Sequence, residues 1–184
     1  FFSRRIGLDA PVLGGARLSG KINNTFRLGF INMTTEKTTD HLARNFTVLS
    51  LQKKILARSN ISFMFVNKEY LNKPDGTLLF NRVAALDFNL ASKNNEWTGK
   101  VFYHRSFQPN NPDGQYAQGA SVKYSKGNIL ISLDQAAVGD NYLAETGFVR
   151  RKNYISLSPE LAYFFIPNKT VTIHGPYSKF KNYS

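Results

Sequence analysis

Cysteine is absent from the 184 residues, which removes a disulfide framework, a thiol nucleophile and any cysteine-ligated zinc or iron–sulfur site. Long apolar runs are missing too. The longest spans Leu161 to Ile166 and stops at Pro167, whereas a membrane helix needs about 20 such residues. Acidic side chains are scarce, with 12 Asp and Glu against 24 Lys and Arg, a net charge of +12. Helical periodicity is almost wholly lacking. No Gly-rich phosphate loop leads from strand to helix; Gly14-Gly15 falls inside an extended segment, where it marks a bulge or close packing. His41, His104 and His174 lie in separate segments without metal-ligand spacing, so neither a metal nor any other cofactor is expected. No Met or signal peptide precedes Phe1, so the sequence is expected to be a processed product or an internal piece of a longer chain.

What remains is β-sheet material. A hydrophobic content of 42% with 14% aromatics argues against disorder, and the length fits one domain over residues 1–184. About ten segments show two-residue alternation or β-branched and aromatic enrichment between polar breaks. They fall near 11–21, 25–35, 44–55, 61–69, 81–91, 97–106, 116–125, 129–138, 154–165 and, weakly, 170–177. The breaks alternate in length. Short ones are 22–24, 56–60, 92–96, 126–128 and 166–169; long polar ones are 36–43, 70–80, 107–115 and 139–153. Two long loops reuse one phrase, Asn72-Lys73-Pro74-Asp75-Gly76 and Asn110-Asn111-Pro112-Asp113-Gly114. Pro before Asp-Gly is turn chemistry, and a calcium loop wants more carboxylates. The expected fold is all-β: an antiparallel up-and-down meander of about ten strands, with short turns at one end and long loops at the other. That is the layout of a transmembrane outer-membrane barrel or a segment of a larger one.

The strand faces support this reading, because lipid cannot solvate charge while a lumen can. The first strand sets Val12, Gly14, Ala16 and Leu18 against Arg17, Ser19 and Lys21. The fifth sets Ala84, Leu86, Phe88 and Leu90 against Asp87 and Asn89, and the sixth Trp97, Val101 and Tyr103 against Thr98, Lys100 and His104. The third is ambiguous, since Thr47, Leu49 and Leu51 compete with Phe46 and Val48. Phe26 and Trp97 follow short turns, and Tyr124 and Phe165 precede them, where interfacial girdles sit.

Three stretches carry a resemblance. Phe1-Phe2-Ser3-Arg4-Arg5-Ile6-Gly7 followed by Pro11-Val12-Leu13-Gly14-Gly15-Ala16-Arg17-Leu18-Ser19-Gly20-Lys21 is similar to the start of a Gram-negative outer-membrane family. Its members pair a family-9-like carbohydrate-binding module with a large C-terminal domain of unknown function (number 5916). Ala85-Leu86-Asp87-Phe88-Asn89-Leu90 and Gly147-Phe148-Val149-Arg150-Arg151-Lys152-Asn153-Tyr154 resemble that domain's internal motifs. The resemblance implies a bacterial outer-membrane β-barrel linked to glycan binding or uptake, and it carries no catalytic residues. The carbohydrate module is not in this chain, which matches only a portion of the large domain. Ten strands are then one wall of a larger barrel, with edges covered by a missing segment or another outer-membrane protein.

Arg4, Arg5, Arg150 and Arg151 are the leading site candidates, because guanidinium forks bind carboxylate or phosphate bidentately. Near one barrel mouth they would ring an acidic sugar or a lipid phosphate. The structural alternative is pairing with Asp87, Asp134 or Glu160 in the lumen. Arg17, Arg27, Lys100 and Lys123 read as lumen-lining cations that attract lipopolysaccharide phosphates or bias a pore toward anions. The leading reading is therefore a non-enzymatic barrel, acting in transport or assembly. Two alternatives stand beside it. One is a soluble all-β binding module for glycan or nucleic acid, drawn from aromatic–basic interleaving such as Lys100-Val101-Phe102-Tyr103-His104-Arg105; the spread of basic residues over every element argues against nucleic acid. The other is an outer-membrane lipid acyl hydrolase in which His104 acts as base for Ser106, with Asn67 or Asn89 orienting the imidazole.

Overall fold

The alternation visible in the sequence becomes one antiparallel sheet. The computed structural model describes residues 6–71, 79–109, 113–164, 177–179 and 182–183. Nine long strands follow one another: β1 (Val12–Lys21), β2 (Phe26–Thr35), β3 (Arg44–Ile55), β4 (Ser59–Tyr70), β5 (Phe80–Ala91), β6 (Trp97–Phe107), β7 (Tyr116–Lys126), β8 (Ile129–Val138) and β9 (Tyr154–Tyr163). Each pairs with its chain neighbours, and no helix occurs among the described residues. The expected strand at 170–177 lies outside the described residues except for Tyr177. That residue opens β10 (Tyr177–Lys179), which pairs with β9, as does β11 (Asn182–Tyr183).

Short turns at one end and long loops at the other follow from the turn chemistry. Asn23 Oδ1 accepts the Thr25 and Phe26 N–H groups at 2.9 and 2.8 Å, closing the first turn. Gly127 and Asn95 supply positive φ in two others. In the long-loop phrase around 110–114, Gly114 has φ +74°; the matching Asn72–Gly76 phrase lies outside the described residues.

Register assigns the faces. The third strand resolves in favour of Thr47, Leu49 and Leu51 on one side, because Phe46 and Val48 are buried on the other. Val12 departs from expectation. A bulge separates it from Gly14, so it pairs opposite Thr35 while Gly14 pairs opposite Thr34, and the two do not share a face. Gly15 sits in this bulged region with no space for a side chain: a Cβ there would lie 2.3 Å from the Asn32 carbonyl oxygen.

One face is partly covered by the loop between β8 and β9, and among the described residues the other is bare. Val48, Val66 and Val83 form the small core on the covered face, with Ile31, Met64 and the loop's Ala144 packed against them. Buried apolar side chains are small apart from Phe46 and Tyr142, and polar ones are buried beside them. No Leu or Ile among the described residues is buried, whereas the most deeply buried side chains are Asn81, Thr35, Ser59 and Ser106.

Leu56 turns the β3–β4 connection at φ 51° while 77% exposed, a conformation that costs an L-residue with a Cβ roughly 1–2 kcal/mol and that Asn visits readily. Leu56→Asn is expected to raise stability by about 0.5–1 kcal/mol, read as a later thermal transition; an unchanged or earlier one would show that the turn is not strained.

Candidate functional site

The covered face divides along its length into an apolar, loop-filled half and an open polar half. At the long-loop end β3, β4 and β5 turn Phe46, Val48, Val66, Val83 and Ala85 inward. Toward the short turns the same faces carry Gln52, Lys54, Ser62, Asn60, Asp87 and Asn89. The β8–β9 loop, residues 139–153, lies over the first half. Its backbone needs partners there, since buried peptide groups are costly unpaired. Asn81 provides two: its Nδ2 donates to the Leu143 carbonyl at 2.9 Å and its Oδ1 accepts the Glu145 N–H at 3.1 Å. Ser106 Oγ accepts the Leu143 N–H at 3.2 Å, and Gln108 Nε2 donates to the Asn141 carbonyl at 3.1 Å.

Charge adds a further anchor. Buried Lys68 pairs with Glu145 of the loop, and the Tyr70 hydroxyl donates to the same carboxylate at 3.1 Å. The Lys68 ammonium also sits 4.8 Å from the Tyr70 ring centroid. Beside them Arg44 donates to Asp9 at 3.1 Å, and that hydrogen bond holds the Asp9 carboxyl below its ordinary range. Burial pushes the Tyr142 phenol up, with the Asp87 charge adding to it.

Between loop and sheet opens a cavity of about 770 Å³. Phe102, His104, Tyr142, Phe148, Tyr154, Arg150 and Arg151 are among its walls. Phe102 is held by a glycine opposite: a Cβ on Gly119 would lie 2.6 Å from the Phe102 ring. Arg151 stacks 5.6 Å from the Tyr154 ring. Aromatic faces with guanidinium forks suit a ligand carrying both an apolar face and an anionic group.

The residues singled out from sequence are brought together only in part. Arg150 and Arg151 share the cavity wall, while Arg4 and Arg5 lie outside the described residues. Arg17, Arg27, Lys100 and Lys123 all project from the covered face, but on different strands and at different heights. Asp87 pairs with His104 at 3.1 Å and Lys100 at 3.4 Å rather than with an arginine. Thus Asp87, not Asn67 or Asn89, orients the imidazole. Asp87 lies opposite Phe102, two register positions from the Ala85–His104 pair and on the same face, a neighbour that chain spacing alone does not reveal. His104 and Ser106 share the face without a hydrogen bond between them; Ser106 is fully buried, its oxygen occupied by the Leu143 N–H.

Asn81, Glu145 and Tyr142 were not legible as site residues. The sequence signal was weak in each case: one Asn on an alternating strand, and two side chains in a long polar loop. Compared with protein-family models, curated proteins and solved structures, the chain matches none.

Removing the amide of Asn81 leaves two loop backbone groups unpaired in a buried setting. Asn81→Ala is therefore expected to weaken loop docking by about 2 kcal/mol, seen as faster amide exchange and proteolysis within 139–153 while the strands keep their protection. Unchanged exchange in that loop would mean that Asn81 does not anchor it.

Proposed function

We propose that the chain forms the wall of an outer-membrane β-barrel, closed by itself or as part of a larger one. It serves as a non-enzymatic pore, uptake or assembly component whose lumen is narrowed by the 139–153 loop. The observation that carries this reading is the apolar band on the bare face. Leu18, Leu86, Val101, Tyr103, Leu133, Leu157 and Leu161 are all between 45% and 61% exposed. Together with their neighbours they span β1 to β9. Contiguous exposed apolar surface of that extent is foreign to soluble monomers and is what lipid solvates.

The band's edges support the reading further. At the long-loop side a single register row of polar residues bounds it: Asn32, Thr47, Asn67 and Arg82. They are joined by Asn32 Nδ2 to Thr47 Oγ1 at 2.8 Å and Arg82 Nε to Asn67 Oδ1 at 2.8 Å. From β5 onward the limit steps toward the short turns, through Arg105, Gln118 and Gln135, two residues per strand. The opposite edge drifts the same way, from Phe26 and Ile61 through Leu90 to Trp97 and Tyr124 and then Ile129 and Tyr163.

Averaged over β2 to β8 the band slides one residue per strand. A slide of about 3.3 Å along for about 4.8 Å across tilts the strands by about 35° to the band. Spanning barrels tilt their strands by about 35–45°. Trp97 and Tyr124, with ring centroids 4.8 Å apart, stand at the short-turn edge where an aromatic girdle belongs.

Under this reading the full chain requires detergent for extraction and migrates faster on gels before boiling than after. A monomer that stays dispersed in buffer without detergent would overturn it. The lumen makes a second expectation. Replacing Arg17, Arg27 and Lys100 with Gln should move single-channel selectivity toward cations, and an unchanged reversal potential would exclude these side chains from an open conduit.

A further inference from the structure

At the short-turn end of β1–β4 the covered face holds a second concavity, of about 400 Å³. It lies away from the loop-covered cavity and shares no residue with it. Four cations line it, Lys21, Arg27, Lys54 and Arg58, with Gln52 and Asn60 among the neutral groups, and no carboxylate contributes. None of the four makes an ion pair with a described residue.

The placement works against the fold. Lys21 stands directly opposite Arg27 across the β1–β2 ladder, and like charges directly opposite are destabilising. The surroundings are nevertheless ordered. Asn60 Oδ1 accepts from Gln52 Nε2 at 3.1 Å and from Asn89 Nδ2 at 2.9 Å, which fixes the amides behind the cations. Arg58 is tethered by its hydrogen bond to Asn95. The Lys54 N–H donates to the Thr25 carbonyl at 2.7 Å, drawing the β1–β2 turn against the end of β3.

We propose that this concavity is a binding site for a phosphate-bearing ligand. Two guanidinium forks and two ammonium groups supply paired and point-charge contacts to phosphate oxygens. A bound dianion would relieve the Lys21–Arg27 repulsion that no described residue offsets. The volume suits a diphosphate or a single phospholipid headgroup. The site does not rest on the membrane reading, since its residues and their charges are the same whichever medium meets the bare face.

The test titrates the full chain with inorganic pyrophosphate at low ionic strength by calorimetry. In parallel, the chain is taken from vesicles of phosphatidylglycerol in phosphatidylcholine and weighed intact by native mass spectrometry. The Arg27→Gln/Lys54→Gln variant is compared with Lys37→Gln, a cation in the β2–β3 loop at the opposite end of the sheet. Saturable one-site pyrophosphate binding that the double variant weakens about tenfold or more, and Lys37→Gln does not, supports a soluble phosphate ligand. Retention of one phosphatidylglycerol, lost only in the double variant, supports a headgroup source. Arg27→Lys, which keeps the charge, should retain part of either effect, so a loss caused by misfolding is told apart. No saturable binding of either probe, or equal binding by wild type and double variant, would overturn the proposal. A chain that binds pyrophosphate yet needs no detergent would refute the barrel and leave this site standing.

Discussion

A β-strand turns successive side chains to opposite faces, so in nine paired strands each register choice decides which medium an entire row of residues meets. Here that choice puts leucine, isoleucine and aromatic side chains on the face that no described residue covers, and Asn, Ser and basic residues beside a small apolar core on the opposite face. Slipping one strand by a single residue would exchange Leu86 for Asp87, or Tyr103 for His104, between the two media. With the bare face read as lipid-facing, the penalty for burying an unpaired charge in an apolar phase enforces register along every ladder. On our reading, lipid supplies the driving force that a soluble protein draws from its core, which explains why the interior core is small and valine-rich.

The covered face has a different logic. Its apolar half cannot stay exposed to water without cost, and the 139–153 loop is the part of the chain that covers it. A loop laid over an apolar patch brings unpaired peptide groups with it. Asn81 and Ser106 stand where those groups arrive, which is why two polar side chains are among the most buried in the molecule. No described residue covers the polar half. Its charges are exposed or paired: Asp87, Lys100 and His104 form one cluster, and the exposed cations of the basic concavity near the β1–β2 turn have no described carboxylate beside them.

Much of the fold was legible because two-residue alternation is a local property. The nine long strands, the sorting of turns by length and the apolar stripes of β5 to β9 follow directly from residues such as Ala84, Leu86, Phe88 and Leu90. The bulge at Val12 was not legible, although Gly14-Gly15 hinted at it, since a bulge is a relation between two strands and not a feature of one. The third strand was ambiguous for a similar reason. Phe46 and Val48 are as apolar as Leu49 and Leu51, and only the loop packed across the sheet makes one pair inward.

The candidate site divides along the same line. Composition and pattern by themselves determined that the chain is all-β, basic, free of thiol chemistry and two-faced, because each of these depends on residue type or on neighbours within a strand. Tertiary structure decided which charges meet. It gave His104 the carboxylate of Asp87, closed Ser106 beneath Leu143, set Arg150 and Arg151 around one cavity with Phe102 and Tyr142, and gathered Lys21, Arg27, Lys54 and Arg58 with no described counter-charge. Such meetings depend on register between strands and on the path of a loop. Both are set by long-range packing and lie beyond what the spacing of residues along one chain encodes.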